Sequence, residues 1–338
     1  MKIIHSFWTA PFLKYTARAL NNPQEHLLVT PSGWPDYKIM LETMYWSCNQ
    51  AVSYYGRENV ILITDTFGQT LFKDKLRFPY AEVRTDLDTL ADFKLTDMWA
   101  YSKVQAYKQM DTPFLHIDTD WVFTKPLPKV YESADIVVQH FEQGAENRKI
   151  LKKDGAYSRI SGYTPALEML NKLPYLPAPL SQLGDLKIFP YLGIFGGQNI
   201  DLVQRYCNIV EDLITNEENQ QMLEDMVAKE QDIRFFNVLI ESIAAGAVLA
   251  AEKVSALSVF QEIDYKAPNK NTPTENKYTP TEDEIKNIGV VHLMGMKQKI
   301  PARVITHVSR YSTRDPKIHK QLSLINSWLP KLIRKFTK

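Results

Sequence analysis

The sequence predicts a mixed α/β fold built on a mostly parallel sheet. Short apolar segments alternate with longer segments of helical periodicity through the first half of the chain, a pattern typical of parallel α/β proteins. Polar residues end several of the apolar segments, and the carboxyl ends of parallel strands meet at one edge of the sheet, where ligands bind. The predicted strands cover residues 2–8, 59–65, 80–86, 114–118 and 134–139.

Helices are predicted between and after these strands. Residues 36–55 contain no Gly or Pro, and apolar residues recur there at a spacing of three to four. Residues 97–111 form another helix, which Thr96 or Asp97 would cap and which ends before Pro113. The second half is predicted to contribute helices at 201–216, 217–229 and 230–246.

Two polar stretches interrupt this pattern. Residues 142–164 are polar with scattered tyrosines and predict a loop, and residues 267–284 have almost no apolar content and predict a mobile cover over the site. The sequence shows neither an internal repeat nor a point at which the chain divides cleanly into two domains. We therefore expect one domain over residues 1–310 and a helical tail over residues 311–338.

Composition excludes several classes of protein. The 338 residues carry a formal net charge of +1, whereas nucleic-acid binders usually carry a clear basic excess, so no nucleic-acid partner is expected. Cys48 and Cys207 are the only cysteines, which excludes a disulfide framework and fits a reducing compartment. Neither a signal peptide nor an apolar run of membrane-spanning length is visible, so a cytoplasmic location is expected.

Asp118 and Asp120 form the first candidate site. They follow the apolar segment PFLHI and precede the apolar segment WVF. Two carboxylates two residues apart on a strand would point the same way and provide hard oxygen ligands for Mn²⁺ or Mg²⁺. The alternative is an ordinary pair of capping or solvated charges.

The segment His292–Lys297, HLMGMK, is the second candidate. His292 offers an imidazole nitrogen to a metal, Gly295 allows the backbone to approach an oxygen closely, and Lys297 can neutralise a departing phosphate. Taken alone, the segment is better explained by a histidine at a strand end and a surface lysine.

The order of these motifs resembles the retaining glycosyltransferases of family 8, which include glycogenin and bacterial lipooligosaccharide galactosyltransferases. Between the aspartate pair and the HxxGxxK segment, that family carries a DQDxxN-like segment. This chain has Glu230-Gln231-Asp232 followed by Asn237 in the corresponding order. It departs from the family where Glu230 replaces Asp, where Asn237 lies two residues later than in that segment, and where Gln298-Lys299 replaces the usual Pro-Trp.

The resemblance implies a single GT-A domain (a Rossmann-like fold) that transfers a hexose from a UDP-sugar to a glycan or lipid-linked acceptor, with retention. It implies that Asp118, Asp120 and His292 hold Mn²⁺ or Mg²⁺. It also implies that Lys297 contacts the leaving diphosphate and that Gln231 and Asp232 lie beside the donor sugar.

Further residues are candidates for donor binding, each with a structural alternative. Ser6 and Trp8 end the first strand, where Trp8 either stacks on uracil or belongs to the core. Asp65 ends the second strand and is a candidate contact for base or ribose. Lys103 either faces the donor or is a solvated helix lysine. Gly196 and Gly197 either approach the donor sugar or make a tight turn before the following helix.

Two alternatives remain open at this stage. An inverting transferase on the same fold would use a carboxylate base, for which Glu142, Asp185 and Asp232 are candidates, and a non-catalytic nucleotide-sugar or carbohydrate-binding protein would keep only the scaffold. Residues 323–338 place apolar residues beside four basic residues, which suits either peripheral contact with an anionic membrane or packing on the body. In either case we expect Pro330 in the first turn of that helix.

Overall fold

The chain forms two compact units in the computed structural model. Unit 1 comprises Met1–Pro128 and Gly289–Lys338, and unit 2 comprises Lys129–Ile288. This division was not predicted from the sequence. The structure describes residues 1–22, 34, 36–123, 125–143, 163–184, 186, 188–229, 231–260, 290–292, 320 and 322–336.

Unit 1 contains four parallel strands in the order β3-β2-β1-β4. The central strand β1 pairs with β2 from Ile3↔Val60 to Phe7↔Thr64 and with β4 from Lys2↔Phe114 to Ile4↔His116. Every residue of β2 and β4 is buried, as expected for strands covered on both faces. The strands are β1 (Lys2–Phe7), β2 (Val60–Thr64), β3 (Glu82–Arg84) and β4 (Phe114–Ile117).

Helices lie between these strands. The longest, α2, begins after Asp36, whose carboxylate accepts the backbone N–H groups of Lys38 and Ile39 at 2.7 and 3.0 Å. The helices are α1 (Thr9–Asn21), α2 (Tyr37–Tyr55), α3 (Thr66–Gln69) running into a π-helical turn (Thr70–Lys75), and α4 (Trp99–Lys108), with 3₁₀ turns at Arg57–Asn59 and Asp86–Leu90.

Unit 1 also contains a separate antiparallel pair, β5 (Trp121–Phe123) with β9 (Val290–His292), and a final helix, α11 (Ile325–Phe336). The apolar face of α11 is buried at Ile325, Leu329 and Ile333. Its ends contact the body of unit 1 as well: the ring of Phe336 lies 4.9 Å from that of Phe67, and the Tyr37 hydroxyl donates to Asn326 at 2.6 Å. This arrangement corresponds to the packed alternative, because three apolar residues of the helix are buried within unit 1.

Unit 2 contains three strands in the order β7-β6-β8, with β6–β7 antiparallel and β6–β8 parallel. Helices α7 and α8 follow β7, and α9 continues through a π-helical turn into α10. The elements are α5 (Val130–Ser133), β6 (Val137–Gln143), α6 (Tyr163–Leu170), a 3₁₀ turn (Leu180–Gln182), β7 (Ile188–Gly197), α7 (Ile200–Thr215), α8 (Glu217–Ala228), α9 (Phe236–Val238), the π-helical turn (Leu239–Ile243), α10 (Ala244–Ala251) and β8 (Leu257–Ser258).

The predicted mixed α/β class with a mostly parallel sheet is confirmed. The boundary predicted between residues 310 and 311 lies outside the described residues, as do 267–284 and most of 142–164. Among the helices that the structure describes, none combines the length and apolarity that a bilayer span requires.

Three local predictions were wrong. Neither Thr96 nor Asp97 caps α4, since Met98 occupies the cap position and the Asp97 carboxylate instead accepts bonds from α1. The helix predicted from residue 230 begins only at Phe236, because Asp232 bonds the backbone and guanidinium of Arg234 and so holds a turn that competes with helix. Pro330 lies in the interior of α11 rather than in its first turn.

Candidate functional site

Asp118 and Asp120 lie on a tight turn between β4 and β5. The backbone N–H of Trp121 donates to the carbonyl of Asp118 at 3.0 Å, which closes a four-residue turn. The sequence had placed both aspartates on a strand, and this was wrong, because β4 ends at Ile117 and they lie on the turn that follows. The turn forms because the chain must leave the all-buried strand β4 and enter β5, and short polar residues suit such a reversal.

Asp118 is paired with Lys103 of α4. The lysine ammonium lies 2.7 Å from Oδ1 and 2.9 Å from Oδ2 of the carboxylate. Lys103 is only 8% exposed, and its ammonium also lies 5.0 Å from the ring centroid of Trp99. The solvated-lysine alternative is therefore wrong, since this lysine is buried and its charge is directed at the aspartate turn.

Helix and strand periodicity bring two pairs of residues together. Lys103 and Tyr107 are four residues apart on α4 and so share one face of the helix. His116 and Asp118 are two residues apart at the end of β4. Lys103 contacts Asp118, while the Tyr107 hydroxyl lies 3.3 Å from Nδ1 of His116. Matched spacings on the two elements thus form one continuous polar layer inside unit 1.

His116 links this layer to the first strand. Its Nε2 lies 2.9 Å from the hydroxyl of Ser6, and its Nδ1 lies 3.9 Å from Oδ1 of Asp118. Burial, followed by the positive charge of Lys103, lowers the pKa of His116 well below its usual value, so the imidazole is neutral. Sequence reasoning included Ser6 but missed His116 and Tyr107. The available signal was a histidine within an otherwise apolar strand, FLHI.

Asp120 is 6% exposed and lies next to the fully buried Trp121. In the antiparallel pair, Trp121 stands opposite His292. This register brings the backbone of His292 beside the aspartate turn, although the two segments are far apart in sequence. Gly295 and Lys297 lie outside the described residues, so their predicted roles stay predictions.

Trp8 and Asp65 have structural contacts within unit 1. Trp8 is 6% exposed and lies 6.0 Å, ring to ring, from Phe93, which agrees with the core alternative. The Asp65 carboxylate accepts bonds from the backbone and hydroxyl of Thr9 at 2.7–2.8 Å and from the N–H of Gly68 at 2.8 Å. It caps α3 and joins it to α1. Burial nevertheless raises the pKa of Asp65, opposed by these bonds.

The remaining candidates lie in unit 2. Gln231 and Asp232 are exposed on the turn before α9, where both oxygens of Asp232 bind Arg234 at 2.9 and 2.7 Å and lower the pKa of the carboxyl group. Gly196 and Gly197 end β7 with φ of 144° and 137°. A Cβ on Gly197 would lie 2.2 Å from the carbonyl oxygen of Asp135, so close backbone packing within unit 2 itself requires this glycine.

Glu142, a candidate base of the inverting alternative, has polar contacts with His140 and Tyr163 in unit 2. Oε1 of Glu142 lies 3.3 Å from Nε2 of His140, within unit 2. Asp185 lies outside the described residues.

A family model described as a family of unknown function, DUF6734, matches residues 1–323. The chain belongs to the DUF6734 family. No curated protein matches it. Among solved structures, the apo form of mouse xyloside xylosyltransferase 1 is similar with a TM-score of 0.36 and 8% identity, over 86% of this chain and 96% of that chain. A TM-score this low assigns neither fold detail nor function.

The chemistry of the turn fits a divalent cation. Asp118 and Asp120 are hard oxygen donors, and an imidazole on the neighbouring β-strand residue would favour Mn²⁺ over Ca²⁺ or Mg²⁺. Within the described side chains, no group of three or more His, Cys, Asp or Glu residues forms a ready metal site. Asp118, Asp120 and His292 therefore stay the predicted metal ligands.

Proposed function

We propose that this chain is a metal-dependent glycosyltransferase that moves a hexose from a UDP-sugar to a glycan or lipid-linked acceptor, with retention. The observation that carries the proposal is the register of Trp121 opposite His292. It brings the strand that ends at His292 beside the turn that carries Asp118 and Asp120. The two segments are distant in sequence, so no local constraint requires Trp121 to pair with His292.

In this proposal, Asp118, Asp120 and His292 hold Mn²⁺. The bound cation would supply charge stabilisation to the leaving diphosphate. Asp120 is suited to this role by its place on the same turn as Asp118, where it offers a second, largely buried carboxylate. Asp118 contributes an oxygen whose position is fixed by Lys103.

Lys103 has two tasks in the proposal. Without a metal it compensates the charge of Asp118, and with a donor bound it provides positive potential beside the anionic diphosphate. Its position is fixed by packing against Trp99 and by burial along α4. Because the ammonium is already desolvated and oriented, little reorganisation is needed when negative charge develops nearby.

His116 supports the same site through its contacts with the neighbouring elements of unit 1. A neutral imidazole that contacts both Ser6 and Tyr107 holds the ends of β1 and β4 in register without adding charge. The roles proposed for Lys297 at the leaving group, and for Gln231 and Asp232 beside the sugar, rest on the family 8 resemblance.

The test is a screen of UDP-hexoses for UDP release in the presence of Mn²⁺. We expect at least one donor to be turned over by the wild-type protein and not by Asp120→Asn. The matched control is Asp111→Asn, which alters an exposed aspartate just before β4 and should keep full activity. Turnover of no UDP-hexose, or equal turnover by Asp120→Asn, would contradict the proposal. An α-configured product from an α-linked donor would establish retention.

A further inference from the structure

We propose that unit 1 carries a second ligand site, for a phosphate monoester, in an open cavity of about 590 Å³. Small-molecule sites typically enclose roughly 300–1,000 Å³, so the volume is adequate for more than a bare phosphate ion. The cavity is lined by one continuous stretch together with two cationic side chains from elsewhere. The lining residues are Arg57, Lys73 and residues 77–83.

The cavity lies at the amino-terminal edge of the parallel sheet. Arg57 belongs to the 3₁₀ turn that precedes β2, and Glu82 is the first residue of β3. The N–H of Ala81 donates to the carbonyl of Val60, the first residue of β2, at 2.9 Å. Asp118 follows the carboxyl end of β4, which is parallel to β1 and β2. The cavity and the aspartate turn are therefore at opposite edges of the sheet.

The charges of the lining favour an anion. Three cationic residues, Arg57, Lys73 and Arg77, face one carboxylate, Glu82, so the lining carries a formal charge of +2 (three minus one). None of the three cations has an ion-pair partner among the described residues. A cleft with charges of one sign concentrates ligands of the other.

Two of these cations have a defined relation to the backbone of the cavity wall. The Arg57 guanidinium donates from Nε to the carbonyl of Tyr80 at 3.4 Å, which ties it to the cavity wall. Arg77 adopts φ of 54°, a left-handed conformation that is costly for a residue with a side chain. It stands between Leu76 and Phe78, both buried, at the point where the π-helical turn ends. These buried neighbours hold the backbone of Arg77 in this conformation beside the cavity.

A phosphate monoester matches this lining. Near neutral pH it carries close to two negative charges, and its oxygens accept the forked donors of arginine. The volume beyond the phosphate leaves room for a group the size of a sugar against Pro79. The phosphate ester is the recognised chemistry, and it can belong to a free sugar phosphate or to a phosphorylated glycan.

The test is calorimetric titration of the full chain with glucose 6-phosphate, inorganic phosphate and glucose. The informative variant is Lys73→Ala combined with Arg77→Gln. Lys75→Ala is the matched control, because Lys75 is exposed on the same π-helical turn but does not line the cavity. Glu82→Gln removes the one carboxylate of the lining and so tests whether a more positive lining binds the phosphate ester more tightly. Circular dichroism of each variant establishes that it is folded.

We expect glucose 6-phosphate to bind more tightly than inorganic phosphate, and glucose not to bind. The double variant should weaken binding about tenfold, since each exposed charge contact contributes severalfold at most. Lys75→Ala should stay within about twofold, and Glu82→Gln should tighten binding. UDP binding with Mn²⁺ should be unchanged in the double variant, which separates this site from the proposed donor site.

Equal weakening by Lys75→Ala would overturn the proposal, because the effect would then reflect general surface charge. So would binding of glucose 6-phosphate no tighter than that of inorganic phosphate, or none at all. A phosphorylated trisaccharide added in parallel distinguishes the two sources: tighter binding than glucose 6-phosphate assigns the site to a glycan, and weaker binding assigns it to a free sugar phosphate.

Discussion

The ammonium group of Lys103 bridges both carboxylate oxygens of Asp118, at 2.7 and 2.9 Å. A divalent cation that binds Asp118 must therefore share this carboxylate with a buried positive charge or displace it. Lysine and metal compete for the aspartate, whereas lysine and the anionic donor attract each other. Removing the charge of Lys103 should therefore change metal binding and donor binding in opposite directions.

Replacing Lys103 with Met should tighten Mn²⁺ binding in the absence of nucleotide by at least about threefold, since a nearby positive charge is removed. The same variant should bind UDP more weakly in the presence of Mn²⁺. Calorimetry with each ligand measures both effects, and Lys108→Met at the end of the same helix is the control. Weaker Mn²⁺ binding by Lys103→Met would show that the lysine does not compete with a metal.

Burial of His5 should make the protein less stable as the pH falls below neutrality. His5 is fully buried, its Nδ1 lies 2.8 Å from the Tyr80 hydroxyl, and burial lowers its pKa from 6.5 to about 3. Between these values the unfolded chain binds the proton that the folded protein excludes, so this contribution to stability is present above pH 6.5 and is lost as pH falls. Between pH 6.5 and 4.5, the free energy of unfolding measured in urea should fall by roughly 2–3 kcal/mol more for wild type than for His5→Gln. Parallel pH dependences of the two proteins would contradict this assignment.

Gly197 should tolerate no side chain. Its φ is 137°, and a Cβ would lie 2.2 Å from the Asp135 carbonyl oxygen. We expect Gly197→Ala to lower the free energy of unfolding by more than about 2 kcal/mol. Gly184→Ala is the control: Gly184 also has positive φ, 56°, but its Cβ would meet nothing closer than 3.9 Å, so its cost should be about 1–2 kcal/mol. Equal losses of unfolding free energy in Gly197→Ala and Gly184→Ala would contradict the claim that close backbone packing excludes a side chain at Gly197.

The C-terminal helix should act as part of the core of unit 1. Leu329 is fully buried, whereas Leu324, just before α11, is 49% exposed. Leu329→Ala should therefore cost about 2–5 kcal/mol of stability, and Leu324→Ala about 0.5 kcal/mol or less. Thermal or urea unfolding measures both. If Leu329→Ala were neutral and the protein bound anionic vesicles, the membrane alternative would return.

Periodicity and local spacing were sufficient for β1–β4, β6 and α2, because in these segments the apolar pattern and the tertiary packing agree. They did not predict β5, β7 or β8. They failed where side-chain bonds override propensity. Asp97 was expected to cap α4 but bonds Lys14 and Tyr15, and Asp232 holds a turn with Arg234 where the pattern continued a helix.

The aspartate pair was identified from sequence, but its setting was not. Strand spacing alone cannot reveal that the chain reverses at Asp118–Trp121, nor that α4 aligns Lys103 with Asp118 and Tyr107 with His116. These contacts depend on how α4 packs on β4, a tertiary relationship that no local window contains. The pairing of Trp121 with His292 is longer-range still.

The central claim is that the aspartate turn binds a nucleotide through a divalent cation. The most direct measurement is calorimetric titration of UDP into the protein with Mn²⁺ and again with excess EDTA, for wild type, Asp120→Asn and Asp111→Asn. We predict that Mn²⁺ tightens UDP binding at least about tenfold in wild type and Asp111→Asn, a difference of about 1.4 kcal/mol, and has no such effect in Asp120→Asn. Equally tight UDP binding in EDTA, or an undiminished Mn²⁺ effect in Asp120→Asn, would contradict the account.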